Sequence, residues 1–244
     1  MLVKDKVALI TGSSDRVGKA IALALAHHGA RVVVHYYTNR DKAARTAQEI
    51  KDLCGKTAIV QGNLSQKNDW RKIKNKILDT FGRIDVLVNN AAIFYKTPFF
   101  DAKLEDWDSF MNINLKSVFL GSQIIGKWMH DNGSGKIINI SDVSSETIWP
   151  NYIPYCVSKA GIIAITKGLA KALAPNVLVN CIAPGTVLLA DDHDKNLEET
   201  LIKRTPLKRI GSAQDIANTV LFLIEGSDFI NGAVIKVDGG RSLT

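Results

Sequence analysis

Seven short, apolar, β-branched runs recur along the chain, and stretches with helical spacing separate them. The runs are KVALIT (6–11), RVVVH (31–35), TAIVQ (57–61), VLVN (86–89), KIINI (136–140), VLVNCIA (177–183) and AVIKV (233–237). Helical periodicity fills 17–28, 41–53, 66–81, 104–130, 155–173 and 213–224, punctuated by Gly29, Gly55 and Gly82. Strands that are apolar at every position, instead of at every second one, are covered on both faces. The pattern therefore predicts an α/β fold with a doubly wound parallel sheet of about seven strands and helices on both sides. At 244 residues, 46% of them hydrophobic, the chain supports one large core, and residues 1–244 read as a single domain without repeat or linker.

The segment 186–204, TVLLADDHDKNLEETLIKR, has little regular patterning and reads as a mobile substrate flap. The formal charge of +7 favours anionic ligands in a general way, but the basic residues are scattered, so no nucleic-acid surface is expected. Cys54, Cys156 and Cys181 form no CxxC pair, and His27, His28, His35, His130 and His193 are dispersed. Neither a disulfide framework nor a metal site is expected, and the histidines read as structural or solvent-facing. MLVKDKVALITG reads as a first strand instead of a signal peptide, and no run is long enough to span a membrane. A reduced, cytoplasmic chain is the expectation.

The first strand runs into TGSSDRVGKAIALALAHHG, a glycine turn opening a helix, where free amides and the helix dipole can hold a pyrophosphate. VLVNNAA (86–92) ends the fourth strand at the switch point of such a sheet, where ligands bind. With these stand Asn114 in MNINLKSVF, Tyr155 four residues before Lys159, and IAPG at 182–185. In that order, over nearly the whole chain, they resemble the short-chain dehydrogenase/reductase family, whose fold is a Rossmann-type sheet and whose members use nicotinamide cofactors. The resemblance implies that Tyr155 is the proton donor and that Lys159 lowers its pKa and binds the nicotinamide ribose. It implies that Asn114 props a water in a proton relay. The cofactor set it implies is Gly12, Arg16, Val17, Gly18, Tyr36, Thr38, Asn63, Leu64, Asn90, Ala91, Pro184, Gly185 and Val187, with Tyr155 and Lys159.

Four departures refine the reading. Relatives that use NAD place an acid at the end of strand two; Tyr36 stands there, with Arg40 nearby, which favours NADPH. Asp15 occupies a turn position where NADP users often carry a basic residue, and Arg16, which replaces the usual second glycine, follows it. Asp142 stands where ketone-reducing relatives place a serine hydroxyl against the developing oxyanion. An ionised carboxylate opposes that charge, whereas it suits a C=N bond protonated at nitrogen; the alternative is that Ser141 or Ser144 takes the serine role. Phe94 lies just beyond strand four and reads as a stacking partner for a flat ring or as a core aromatic.

Arg16, Phe94 and the Asp142–Tyr155–Lys159 set together resemble the pteridine reductases and the related dihydromonapterin and dihydrofolate reductases of the short-chain type. The expectation is an NADPH-dependent reductase of a C=N bond in a pterin-like substrate, bound by Phe94, Asp142 and Tyr155, with catalytic Asp142, Tyr155, Lys159 and Asn114 and no metal. A 3-oxoacyl-acyl-carrier-protein reductase or general carbonyl reductase is the first alternative, and a cofactor-binding protein without turnover the second. The family resemblance also implies a homotetramer.

Overall fold

A computed structural model describes residues 1–53, 55–188 and 195–244. Seven strands, β1 (Val7–Ile10), β2 (Arg31–Tyr36), β3 (Thr57–Gln61), β4 (Val86–Asn89), β5 (Gly135–Ile140), β6 (Val177–Pro184) and β7 (Val234–Val237), form one sheet in the order β3-β2-β1-β4-β5-β6-β7. Every neighbouring pair is parallel. The doubly wound sheet read from the apolar runs is the one observed.

Consecutive side chains of β1 explain why its sequence is apolar throughout. Ala8 and Ile10 face a layer with Ile21, Leu25 and Val220, while Val7 and Leu9 face Trp70, Ile73 and Ile77. Successive strand residues point to opposite faces, so a sheet covered on both sides needs apolar residues at each position. Helices α1 (Arg16–His27) and α2 (Arg40–Asp52), with the final helix Ala213–Glu225, cover the first face. Helix α3 (Lys67–Phe81) and the long helix after β4 help cover the second.

That long helix is not the uniform one its periodicity predicts. It starts as Leu104–Phe110 and is π-wound over Met111–Lys116 and again over Ser122–Gly126, before ending at Asp131. Each wider turn holds one extra residue. The first holds Asn114, fully buried, whose amide nitrogen donates to Ser158 Oγ at 3.2 Å.

Two further differences concern residues 186–204. Lys195–Arg204 is an α-helix, with a Glu199–Lys203 pair one turn apart at 3.7 Å, where the sequence suggested little regular structure. Leu197 and Leu201 recur at helical spacing and line the pocket described below, so tertiary packing supports this helix. Residues 189–194 of the expected flap lie outside the described residues. Among the described residues no helix is long and apolar enough to cross a membrane, and no cluster of ligating side chains could hold a metal ion.

Candidate active site

The carboxyl ends of the parallel strands converge at one end of the sheet. At the end of β1, Gly12 adopts φ +63°, and a Cβ there would lie 3.0 Å from Ala91 Cα. A Cβ on Gly18 would lie 2.3 Å from the Gly12 carbonyl oxygen and 2.6 Å from Asn90 Nδ2. Only glycine permits this approach of turn and helix, which leaves the first turn of α1 open with its intrinsically unpaired amides. Arg16 sits at φ +53°, a left-handed conformation that an L side chain adopts at a cost of about 1 kcal/mol. A glycine there would be free of that strain, which is why its absence stands out. Arg16 Nη2 reaches the Leu188 carbonyl at 3.5 Å and so touches the segment beyond β6.

Side chains from neighbouring strands bolt this turn in place. Thr11 Oγ1 accepts from the amides of Asn90 at 2.9 Å and Ala91 at 3.0 Å, and Asn90 Nδ2 donates to the Thr11 carbonyl at 2.9 Å. From the other side, the Gly12 amide donates to His35 Nδ1 at 3.1 Å, and His35 Nε2 lies 3.1 Å from the Gly62 carbonyl. Nδ1 is therefore the acceptor and Nε2 carries the hydrogen. The Ser13 hydroxyl accepts from the His35 amide at 3.1 Å and donates to the Ile10 carbonyl at 2.8 Å. Burial pushes the imidazole from 6.5 down to about 4, so it stays neutral as this geometry requires. The sequence left His35 as structural or solvent-facing, without assigning it to the glycine turn. The link runs through the β1–β2 register, which pairs Ile10 with Val34.

The adenosine end has a different character. Tyr36 closes β2 and is buried in the core, so it offers neither a carboxylate nor an exposed hydroxyl surface. Thr38 and Asn39 lead into α2, with Asn39 capping it through the Lys42 amide at 2.9 Å. Asp15 caps α1 and pairs with Lys42 Nζ at 2.5 Å; the lysine holds its carboxyl below the usual range. After β3, Asn63 Oδ1 accepts from Ser65, and Leu64 packs into the core while its carbonyl accepts from Trp70 Nε1. The backbone of Asn63 is engaged as well, its amide donating to Asp69 Oδ2 at 2.9 Å and its carbonyl accepting from the Gln66 amide at 2.9 Å.

At the reactive end, a pocket is lined by Arg16, Val17, Asn90, Asp142, Tyr155, Lys159 and the Pro184–Leu188 segment. The Tyr155 hydroxyl donates to Asp142 Oδ2 at 2.9 Å, while Asp142 Oδ1 accepts from the Ser144 amide at 2.7 Å. Ser141 is committed elsewhere: its hydroxyl donates to the Lys159 carbonyl at 2.7 Å. Ser144 is buried in the short turn Val143–Ser145. The structure thus sets Asp142, and neither serine, against the tyrosine hydroxyl.

Lys159 Nζ donates to the Ile140 carbonyl at 3.0 Å and lies 5.6 Å from the centroid of the Tyr155 ring. Burial raises Tyr155 well above its ordinary value, and the Asp142 charge raises it further. The expected lowering by Lys159 does not prevail, because desolvation and the carboxylate both act against the phenolate. Burial also raises Asp142 and lowers Lys159. Asn114 exchanges bonds with Ile93, accepting its amide at 2.8 Å and donating to its carbonyl at 3.1 Å. Its side chain therefore ties the loop after β4 to the Tyr155 helix (Ile153–Ala172).

Phe94 is 57% exposed and stacks on Tyr152 at 4.9 Å with a 2° interplanar angle. Its edge meets Tyr155 at 4.8 Å and Trp149 at 6.5 Å. The ring belongs to the pocket wall and not to the core. Trp149, Tyr152 and Arg241 also line that wall, and the sequence reading did not single them out. The aromatic pair could have been found in TIWPNYIPY, where it stands six and three residues before Tyr155.

Residues 12–242 match the family described as enoyl-(acyl carrier protein) reductase. This chain belongs to the short-chain dehydrogenase/reductase family. It is a nicotinamide-dependent oxidoreductase by that membership. A protein from Synechocystis named 3-oxoacyl-[acyl-carrier-protein] reductase is 40% identical over 239 residues, covering 96% of each chain. A protein of the same name from Thermotoga maritima is 36% identical over 98% of this chain and 99% of its own. Among solved structures, a 7α-hydroxysteroid dehydrogenase complexed with NADH and a 7-oxo bile acid has a TM-score of 0.93 at 32% identity, covering 98% of this chain and 94% of its own. A putative gluconate dehydrogenase from Agrobacterium tumefaciens has the same score and identity, covering 99% and 98%.

Proposed function

We propose that the chain reduces a C=N bond of a flat, pterin-like ring, using NADPH. The observation that carries this reading is the Asp142–Tyr155 contact at 2.9 Å, with a carboxyl group where a ketone reductase needs a neutral donor. The nicotinamide, when bound, supplies the hydride. Tyr155 gives a proton to the ring nitrogen, and Asp142 stabilises the cationic nitrogen and steadies the tyrosine. Burial raises Tyr155, which so keeps the proton it donates; Asp142 acts in this reading as the carboxylate, a charge that burial opposes and that the Ser144 amide and Lys159 favour. Phe94 supplies a face for the ring, while Lys159 holds the ribose side.

Support for NADPH comes from the missing carboxylate at Tyr36 and from Arg40 at the start of α2. The Asp15–Lys42 pair lessens the repulsion that an isolated Asp15 would exert on a 2′-phosphate. Gly12, Arg16, Val17 and Gly18 would hold the pyrophosphate, and Pro184, Gly185 and Val187 the nicotinamide end. A homotetramer completes the proposal; exposed Phe119 on the long helix and Val157 on the Tyr155 helix are apolar surface available to it. Light scattering giving a monomer would remove that part.

The names of the relatives favour a second reading, reduction of a 3-oxoacyl thioester, and the comparisons back it better than they back a pterin. In that case Asp142 works in its protonated form, which burial favours, and a neutral carboxyl donates to the carbonyl oxygen as a serine would. Asp142→Ser separates the two. Under the C=N reading, kcat/KM for a dihydropterin falls by about 10²-fold, the scale of one preorganised contact, while ketone reduction holds or rises. No dihydropterin turnover by the unmodified protein, with acetoacetyl-thioester reduction intact, would hand the case to the second reading. Removing the carboxylate also removes one influence that raises Tyr155, so the high-pH fall in rate should begin at lower pH in the serine variant.

A further inference from the structure

The pocket holds more positive charge than the chemistry above uses. Its described lining includes Arg16, Lys159, Arg204 and Arg241 but one carboxyl group, Asp142. Lys159 is set against Asp142, and Arg16 belongs to the glycine turn. Arg204 and Arg241 remain, and Arg241 lies against the aromatic wall.

Arg241 is the one whose guanidinium is held by neighbouring side chains. Gly239 and Gly240 take φ +63° and +84° after β7, turning the chain back toward the pocket. Asp238 fixes the turn, accepting from the Gly240 amide at 3.0 Å and the Ser242 amide at 2.8 Å. The guanidinium then lies 5.7 Å from the centroid of Trp149 and donates to the Thr186 hydroxyl. It is half-buried, and among the described residues no carboxylate pairs with it. Burial weakens its hold on its proton, as does the charge of Arg204, while Asp142 and Asp238 strengthen it. A partly desolvated guanidinium whose carboxylates act only from a distance, with none in hydrogen-bond contact, is improved by a ligand that brings an anion to it.

We propose that Arg241 is a specificity-determining residue that receives an oxyanion, a carboxylate or phosphate, carried by the substrate beyond its reducible group. The inference rests on reading this pocket as the substrate site, but it does not depend on whether the reducible bond is C=N or C=O. A planar guanidinium pairs with such a group through two parallel hydrogen bonds. Trp149 behind it limits the positions from which the anion can arrive. Arg204, at the end of the Lys195–Arg204 helix, adds charge on the same side of the pocket.

The test compares matched substrates in the full-length protein and its Arg241→Gln and Arg241→Lys variants. For C=N chemistry the pair is a dihydropteridine with a carboxylate-bearing tail and one without. For carbonyl chemistry it is acetoacetate and its ethyl ester, with a phosphopantetheine thioester as the phosphate arm. The expected result is a rise in KM of about tenfold or more for the anionic member in Arg241→Gln. The neutral member and NADPH keep their KM, and Arg241→Lys recovers part of the loss. The arm that responds identifies the anion as carboxylate or phosphate. Equal losses for both members would make Arg241 a structural residue, and a rise confined to NADPH would assign it to the cofactor; either overturns the proposal. Absence of dihydropteridine turnover in the unmodified protein bears on the C=N reading alone, because the carbonyl pair still tests Arg241.

Discussion

Acidification should loosen this fold through His35 before it protonates most of the carboxylates. His35 joins the Gly12 amide to the Gly62 carbonyl and must be neutral to do so. Burial holds it at about 4 against an ordinary 6.5, a preference for the neutral ring worth about 3 kcal/mol. Because the folded value is the lower one, the unfolded chain takes up the proton first as pH falls. The contribution is intact above about pH 6.5, has dropped by about 2 kcal/mol near pH 5 and is lost as pH passes through about 4. His35→Asn keeps an acceptor for Gly12 but cannot titrate. Urea unfolding at fixed protein concentration, from about pH 7 to about pH 5, should show the unmodified protein losing about 2 kcal/mol more than this variant. Other histidines and acids contribute alike to both proteins and cancel in the difference. Parallel losses would refute the buried, neutral histidine, whatever the absolute stabilities. The same variant should raise KM for the cofactor, since the Gly12 turn loses its tie to the end of β3.

Two more outcomes follow from the geometry. Phe94→Ala should raise KM for a ring substrate several-fold, in line with about 0.5–1.5 kcal/mol of stacking, and leave Tm almost unchanged; a stability loss near 3 kcal/mol in urea would return Phe94 to the core. Asp15→Ser keeps a cap on α1 while freeing Lys42, so NADPH should gain affinity relative to NADH, and an unchanged ratio in a fluorescence titration would separate Lys42 from the 2′-phosphate.

The sheet was legible because a parallel strand buried on both faces advertises itself in every residue, as Val7 to Ile10 do. Asp142 and Tyr155 could be paired because strand end and helix start place fixed spacings at one corner. The π-wound turns were not legible: MNINLK and SQIIG carry the same apolar period as the helix around them, and only packing decides where an extra residue fits. His35 looked like any strand histidine, since its partners Gly12 and Gly62 lie 23 and 27 residues away. Arg241 escaped for a related reason. Its role depends on two consecutive left-handed glycines that bring a late turn back across the sheet to Trp149.

The pocket draws its wall from both sides of the β1–β4 seam: Arg16 and Val17 follow β1, Asn90 follows β4, and Arg241 follows the outermost strand. A ligand seated there is in effect a cross-link between the two halves of the sheet. Its binding energy cannot be confined to a local opening of one loop, since either half must let go before the ligand does. Saturation should therefore slow hydrogen exchange in β2 as well as in β6, strands that three others separate in the sheet.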